Sequence, residues 1–330
     1  MRRILPTGRF YAPSAQAREG LDAPKGKFAL VHEPTIKVLD ELKRARGQLE
    51  TLGSAGPILA PAIRALRRTE LRLERPLRMA VIGEFNSGKS TLSNLLVRIE
   101  SLPTAVISNT CIPTLLYHAP VPEICAVYHD RRRESLRAST QASSQNIFRL
   151  EVGLPSERLR VVQILDLPGL ADARFDGSIT DLTSHAVDLA IWCTLSTQAW
   201  KESERAAWEQ IPVRLRSRGL LVATHSDLLR NGDLEKLMRR LRDVAGSSFW
   251  DILPMSTVEA LAVMAEDREG PAGAIWKASG ADALETALDD LIEDVRMRRL
   301  KAALKVTGQI AERALLRIEN PSLPSAPGPL

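Results

Sequence analysis

The sequence predicts an α/β domain, a mostly parallel sheet with helices on both faces, flanked by helices before and after it. Three observations carry that prediction. Through the middle of the chain, short apolar β-prone runs alternate with segments of helical spacing, the pattern of parallel strands joined by covering helices. One such run, LRMAVI at 77–82, stands directly before Gly83-Glu84-Phe85-Asn86-Ser87-Gly88-Lys89-Ser90, and a helically spaced run, STLSNLLV, follows it. Asp166 directly follows one more apolar run and Thr224-His225-Ser226-Asp227 follows another, which puts both carboxylates where open α/β sheets bind ligands.

Residues 83–90 match G-x-x-x-x-G-K-[ST] at every fixed position, and strand–loop–helix is the setting in which that loop cradles phosphate. This makes the domain P-loop NTPase-type. Glycines at 83 and 88 let backbone N–H groups turn toward phosphate oxygens. Lys89 is expected to reach the β- and γ-phosphates and Ser90 to give its hydroxyl to Mg²⁺. The phosphates would lie at the positive end of the following helix.

In chain order, residues 1–30 carry Pro6, Pro13 and Pro24 with little periodicity and read as a flexible arm. From Pro34, Ile36, Leu39, Leu42, Leu49 and Leu52 recur at helical steps until Gly53, Gly56 and Pro57. A second helix places Leu59, Ile63 and Leu66 opposite Arg64, Arg67 and Arg68 and ends at Pro76. The domain proper is read as 77–270, after a helical segment at 31–76. Strands are predicted at 77–82, 114–118, 124–129, 161–165, 189–195, 220–223 and 251–253, with helices near 201–216, 234–244 and 258–265. A C-terminal helical segment, 271–320, carries a stripe of Leu284, Leu288, Leu291 and Val295, continued by Ile310, Ala314 and Ile318. Between them Arg296, Arg298, Arg299, Lys301 and Lys305 form a basic patch. Both helical segments have apolar stripes that need a partner, so they are expected to pack together as a short neck. The proline-rich residues 321–330 read as a disordered tail.

Composition excludes several classes. The chain has 330 residues, 44% hydrophobic and 26% charged, as in soluble globular proteins. No apolar run approaches a membrane span, and the N-terminus lacks the apolar core of a secretory signal. Cys111, Cys125 and Cys193 are odd in number and scattered, which suits a reducing cytoplasm rather than disulfides or zinc. Cys125 and Cys193 lie in apolar runs and are expected in the core. The formal net charge is +5, whereas residues 1–75 alone hold 15 Lys/Arg and 8 Asp/Glu. The basic excess therefore precedes the P-loop, where it could attract anionic lipid. No aromatic-interleaved basic module is present, so nucleic acid is not an expected partner.

Three further motifs define the nucleotide. Asp166-Leu167-Pro168-Gly169 follows a strand: the carboxylate can hold Mg²⁺ through a water, and Gly169 can offer its N–H to the γ-phosphate. Thr224-His225-Ser226-Asp227 resembles [NT]-K-x-D with histidine in place of lysine. Asp227 can accept both guanine donors, which adenine lacks, and so select GTP; the imidazole could stack on the base. Thr110, between the P-loop helix and the next strand, can complete the Mg²⁺ shell and hold the attacking water through its carbonyl; Thr114 is the competing candidate. Ser256, after the last strand, stands where a short loop often packs on the base. His118 and His129 read as structural.

Together G-E-F-N-S-G-K-S-T-L-x-N-x-L from Gly83, L-P-T at 102–104, T-x-x-P-T at 110–114 and D-L-P-G at 166–169 resemble the GTPase domain of bacterial dynamin-like proteins. The resemblance covers about residues 77–260. It implies Gly83, Asn86, Ser87, Gly88, Lys89, Ser90 and Thr91 on the phosphates, Thr110 and Asp166 with Ser90 around Mg²⁺, and Thr224 with Asp227 at the base. It also implies a homodimer formed through the nucleotide face, with Asn86 facing the partner's loop. Family members carry a long helical stalk and a membrane-inserting tip; the residues after the domain here are expected to form only a neck. The expected activity is Mg²⁺-dependent hydrolysis of GTP to GDP and phosphate, in a cytoplasmic protein able to touch the inner face of a membrane. A slow GTPase switch that recruits a protein, RNA or ribosomal partner is the alternative.

Overall fold

The computed structural model describes residues 33–51, 56–98, 112–136, 146–169, 186–230, 232–265 and 273–319. The arm and tail, Thr110 and Cys111 lie outside the described residues. Two helices come first, α1 (Glu33–Thr51) and α2 (Gly56–Glu74). The domain then runs β1 (Leu77–Gly83), α3 (Lys89–Val97), β2 (Thr114–His118), β3 (Glu123–Tyr128), β4 (Arg133–Leu136), β5 (Ile147–Leu154), α4 (Arg158–Val161), β6 (Val162–Asp166) and β7 (Leu189–Leu195). It continues with α5 (Glu202–Gln210), α6 (Val213–Arg216), β8 (Gly219–Thr224), α7 (Asp233–Ala245), β9 (Asp251–Met255), α8 (Thr257–Ala265) and α9 (Ala274–Ala278). The chain's long helix, α10 (Ala281–Glu319), closes the described part.

The nine strands form one sheet in the order β4-β3-β5-β2-β6-β1-β7-β8-β9. From β6 to β9 every pairing is parallel. β2 runs antiparallel to β6 and parallel to β5, and β3 is antiparallel to both β4 and β5. The central strands are buried on both sides, β1 and β8 almost completely, which explains their unbroken apolar sequences. One face packs on α3, α8, α9 and the start of α10 through Leu92, Leu96, Ala260, Trp276, Leu284 and Leu288. The other packs on α5, α6 and α7, around the T-shaped and stacked rings of Trp192, Trp200, Trp208 and Phe249.

The expected strands are present, with ends shifted by a residue or two. Two strands, β4 and β5, were not anticipated. β5 reads IFRLEVGL, and charges at Arg149 and Glu151 mask its apolar run. Glu151 is nevertheless buried, since Arg133 and Arg149 both pair with it. The helix predicted over 201–216 is two helices, because Pro212 cannot continue the first. Cys193 is fully buried, but Cys125 is only half-buried.

The neck forms a small core of its own. Leu42 of α1, Leu66 and Leu73 of α2, and Leu300 and Ala303 of α10 pack together, with Val38, Leu39, Met297 and Ile310 around them. α10 therefore serves two cores: its first turns cover the sheet and its later turns complete the neck. Arg299, read as part of a basic patch, is buried against Asp188 at the junction. That carboxylate also takes both terminal nitrogens of Arg75 at 3.0 and 3.1 Å and the Arg78 N–H at 2.9 Å. Burial opposes its ionisation, but Arg299, Arg75 and the Arg78 N–H hold the carboxyl below its ordinary range.

Candidate functional site

The site forms where β1, β6, β7 and β8 end. β1 delivers Gly83 between β6 and β7. A Cβ at Gly83 would lie 2.3 Å from the Cys193 carbonyl oxygen, so no side chain fits. Asn86 and Gly88 take left-handed backbone at φ 60° and 79°, which curls the loop into the start of α3. Phe85 and Asn86 stand exposed on the loop's outer side, while Ser87 and Lys89 are buried. Thr91, the third residue of α3, is half-buried.

Lys89 Nζ donates to the Glu84 carbonyl at 2.7 Å. Burial pulls its pKa below the ordinary lysine value, against the attraction of Asp166 and Glu84. An ammonium in that position gains from an anion. Exposed Ser90 donates its hydroxyl to Asp166 Oδ2 at 3.0 Å. Asp166 Oδ1 is buried with no hydrogen-bond partner among the described residues, and so is Ser87 Oγ. Burial raises the Asp166 carboxyl to about 6, with Ser90 and Lys89 opposing the rise. A divalent cation beside Ser90 and Asp166 would relieve that cost, since hard oxygen donors suit Mg²⁺; the residues present fit the ion.

The other motifs converge here. Gly169 packs against the P-loop, and a Cβ there would come within 3.1 Å of the Phe85 nitrogen. Thr224 shares its hydroxyl hydrogen between the carbonyls of Ser87 at 2.9 Å and Thr194 at 3.1 Å, tying β8 to the loop and to β7. His225, at φ 56°, sets Nδ1 3.1 Å from Thr224 Oγ1 and its Cε1 against Gly88. Asp227 is exposed in the 3₁₀ turn Ser226–Leu228 beyond it. Ser256 is buried, and its hydroxyl accepts the Glu259 N–H at 3.4 Å as the cap of α8. Thr114 lies directly across from Asp166 in the β2–β6 ladder and donates its buried hydroxyl to the Ile112 carbonyl.

A supporting set escaped the sequence reading. Glu84 accepts from Lys201 Nζ at 3.0 Å and Ser203 Oγ at 2.7 Å. Buried Glu204 accepts the Lys201 N–H, Thr194 Oγ1 and Trp192 Nε1. A glutamate reaching back to the residue that opens its helix is a recognisable sequence signal. Its link to the P-loop is not, because Glu84 and Lys201 are distant in the chain.

Dynamin-like protein 2 of Campylobacter jejuni is 29% identical over 212 residues, covering 59% of this chain and 33% of the relative. The similarity to a dynamin-like protein thus spans more than half of this chain. Isoniazid-induced protein IniC of Mycobacterium tuberculosis is 33% identical over 122 residues, 34% of this chain and 25% of that protein. A probable transmembrane GTPase, FZO-like and chloroplastic, of Arabidopsis thaliana is 24% identical over 307 residues, 87% of this chain and 32% of the relative. The chain thus spans about a third or less of the length of these relatives. Among solved structures, a member of an oligomerised bacterial dynamin pair, described as a mechanism for long-range sensing and tethering of membranes, superposes with a TM-score of 0.60 at 17% identity. It aligns with 87% of this chain and 56% of its own length, and its likeness bears on the fold alone. No protein-family profile matches the chain. No described helix is long and apolar enough to cross a membrane.

Proposed function

We propose that this chain binds GTP and GDP with Mg²⁺, hydrolyses GTP, and does so efficiently only as a dimer across the nucleotide face. The observation that supports this most is the juxtaposition of a buried Lys89, the Ser90–Asp166 hydrogen bond and the unpartnered Asp166 Oδ1 at one strand end. Lys89 leaves the Glu84 carbonyl to neutralise the β- and γ-phosphates. Gly83, Asn86, Ser87, Gly88 and Thr91 complete the phosphate cradle, and Gly169 offers its N–H to the γ-phosphate. Ser90 and Asp166 hold Mg²⁺, with Thr110 completing the shell. The ion, when bound, offsets phosphate charge. Thr224 supports the loop from the base side, and Asp227 accepts from guanine; Ser256 contributes through the backbone of its turn.

Leu170, after the D-L-P-G motif, cannot orient a water where many switch GTPases place a glutamine, so the lone domain is slow. Asn86, exposed on the loop, is the residue assigned to meet a partner's loop. Kinship with dynamin-like proteins supports this over a slow switch recruiting RNA or a ribosomal partner. In this reading the protein is cytoplasmic, and the exposed arginines 64, 67 and 68 of α2 allow peripheral contact with an anionic membrane. Specific GTPase activity is expected to rise from nanomolar to micromolar protein, and Asn86→Ala to flatten the rise. Constant specific activity from a chain that stays monomeric with a transition-state analogue would overturn the dimer reading. Equal affinity for ATP and GTP would overturn the choice of guanine.

A further inference from the structure

The P-loop holds an acidic residue at its entrance. Glu84 is the sole carboxylate between Gly83 and Ser90, and it follows directly on β1. Its carbonyl is the acceptor for Lys89, so the residue is part of the cradle's frame. Lys89 and Glu84 lie close enough to feel each other's charge. A carboxylate there repels the phosphates that the loop receives. The repulsion is met from the start of α5: Lys201 Nζ, from the residue capping that helix, pairs with Glu84 Oε2 at 3.0 Å, and Ser203 Oγ donates to Oε1 at 2.7 Å.

Lys201 is also anchored. Its backbone N–H is held by Glu204, whose carboxylate receives Thr194 Oγ1 and Trp192 Nε1 from β7. The Thr194 carbonyl in turn receives Thr224 Oγ1, the hydroxyl that also reaches Ser87 in the loop. The lysine's root is thus fixed to the same strands that carry the nucleotide site.

We propose that Lys201 is a positioning residue for nucleotide binding, acting through Glu84 by neutralising the carboxylate at the mouth of the phosphate loop. The proposal rests on the reading of that loop as a nucleotide site, and it predicts that the cost of losing Lys201 depends on Glu84 being charged.

The test is a Mg²⁺–GDP titration of the full chain at low salt. Lys201→Met should weaken binding by about three- to tenfold, the scale of a partly exposed charge beside a polyanion. Glu84→Gln should bind about twofold tighter than wild type. The double variant should return to within about twofold of wild type, and Lys201→Arg should match wild type. The Lys201→Met penalty should largely vanish in 1 M salt, where the screening length is about 3 Å. A double variant as weak as Lys201→Met, or a penalty that ignores salt, would show a purely structural brace and overturn the inference. Lys201→Met binding like wild type would overturn it as well. Wild-type protein that fails to bind GDP would instead remove the nucleotide reading itself.

Discussion

Replacing Asp166 with asparagine should stabilise the nucleotide-free protein while disabling the site. Asparagine keeps the size of the side chain and an oxygen to accept from Ser90, but removes the buried charge. Burial moves the Asp166 carboxyl from 3.8 to about 6. That displacement costs the folded state roughly 3 kcal/mol at neutral pH, as an order of magnitude. The sign follows from proton counting. Between pH 3.8 and about 6 the folded chain holds a proton that the unfolded chain has released, so stability falls as pH rises through that window. Asp166→Asn should therefore gain about 1–3 kcal/mol over wild type at pH 7.5 without nucleotide. The gain should shrink toward zero near the bottom of the window. With Mg²⁺ and GDP the order should reverse, because the variant gains little from the ligand pair. Denaturant titration at two pH values, with and without Mg²⁺–GDP, reads all of this. A ligand-free variant less stable than wild type at pH 7.5 would refute the reasoning.

Asp188→Asn should destabilise the chain by about 3–5 kcal/mol, because Arg299 is left buried without its counter-ion. The Asp188 carboxyl is held below 3.8, so its contribution is full above that pH and lost as pH falls through the lower folded value. Urea melts of variant and wild type should accordingly converge only in strong acid. Gly83→Ala drives a methyl into the Cys193 carbonyl; GTP turnover should fall about a hundredfold as the loop shifts, and near-normal turnover would contradict the assigned geometry. Asp227→Asn should cost about 1.5–3 kcal/mol of guanine affinity, measured by GDP titration, with ADP affinity unchanged.

The sequence by itself determined the sheet's central strands, the phosphate loop, the strand-end position of Asp166 and the place of Asp227 in the turn after β8. These are local signals: a buried parallel strand must be apolar along its length, and a loop that curls around phosphate needs glycine at set positions. The two neck segments were legible for the same reason, since an apolar helical stripe requires a partner. Tertiary structure alone decided what depends on residues far apart in the chain. β5 was hidden because Glu151 is buried only by virtue of Arg133 and Arg149. Arg299 read as one of a basic patch until the residue before β7, Asp188, was found paired with it. The brace from Lys201 to Glu84 spans 117 residues, and no spacing rule reaches that far. A charge's environment is set by whatever packs around it, so pairings such as these, and the raised carboxyl of Asp166, come into view only once the strands are laid side by side.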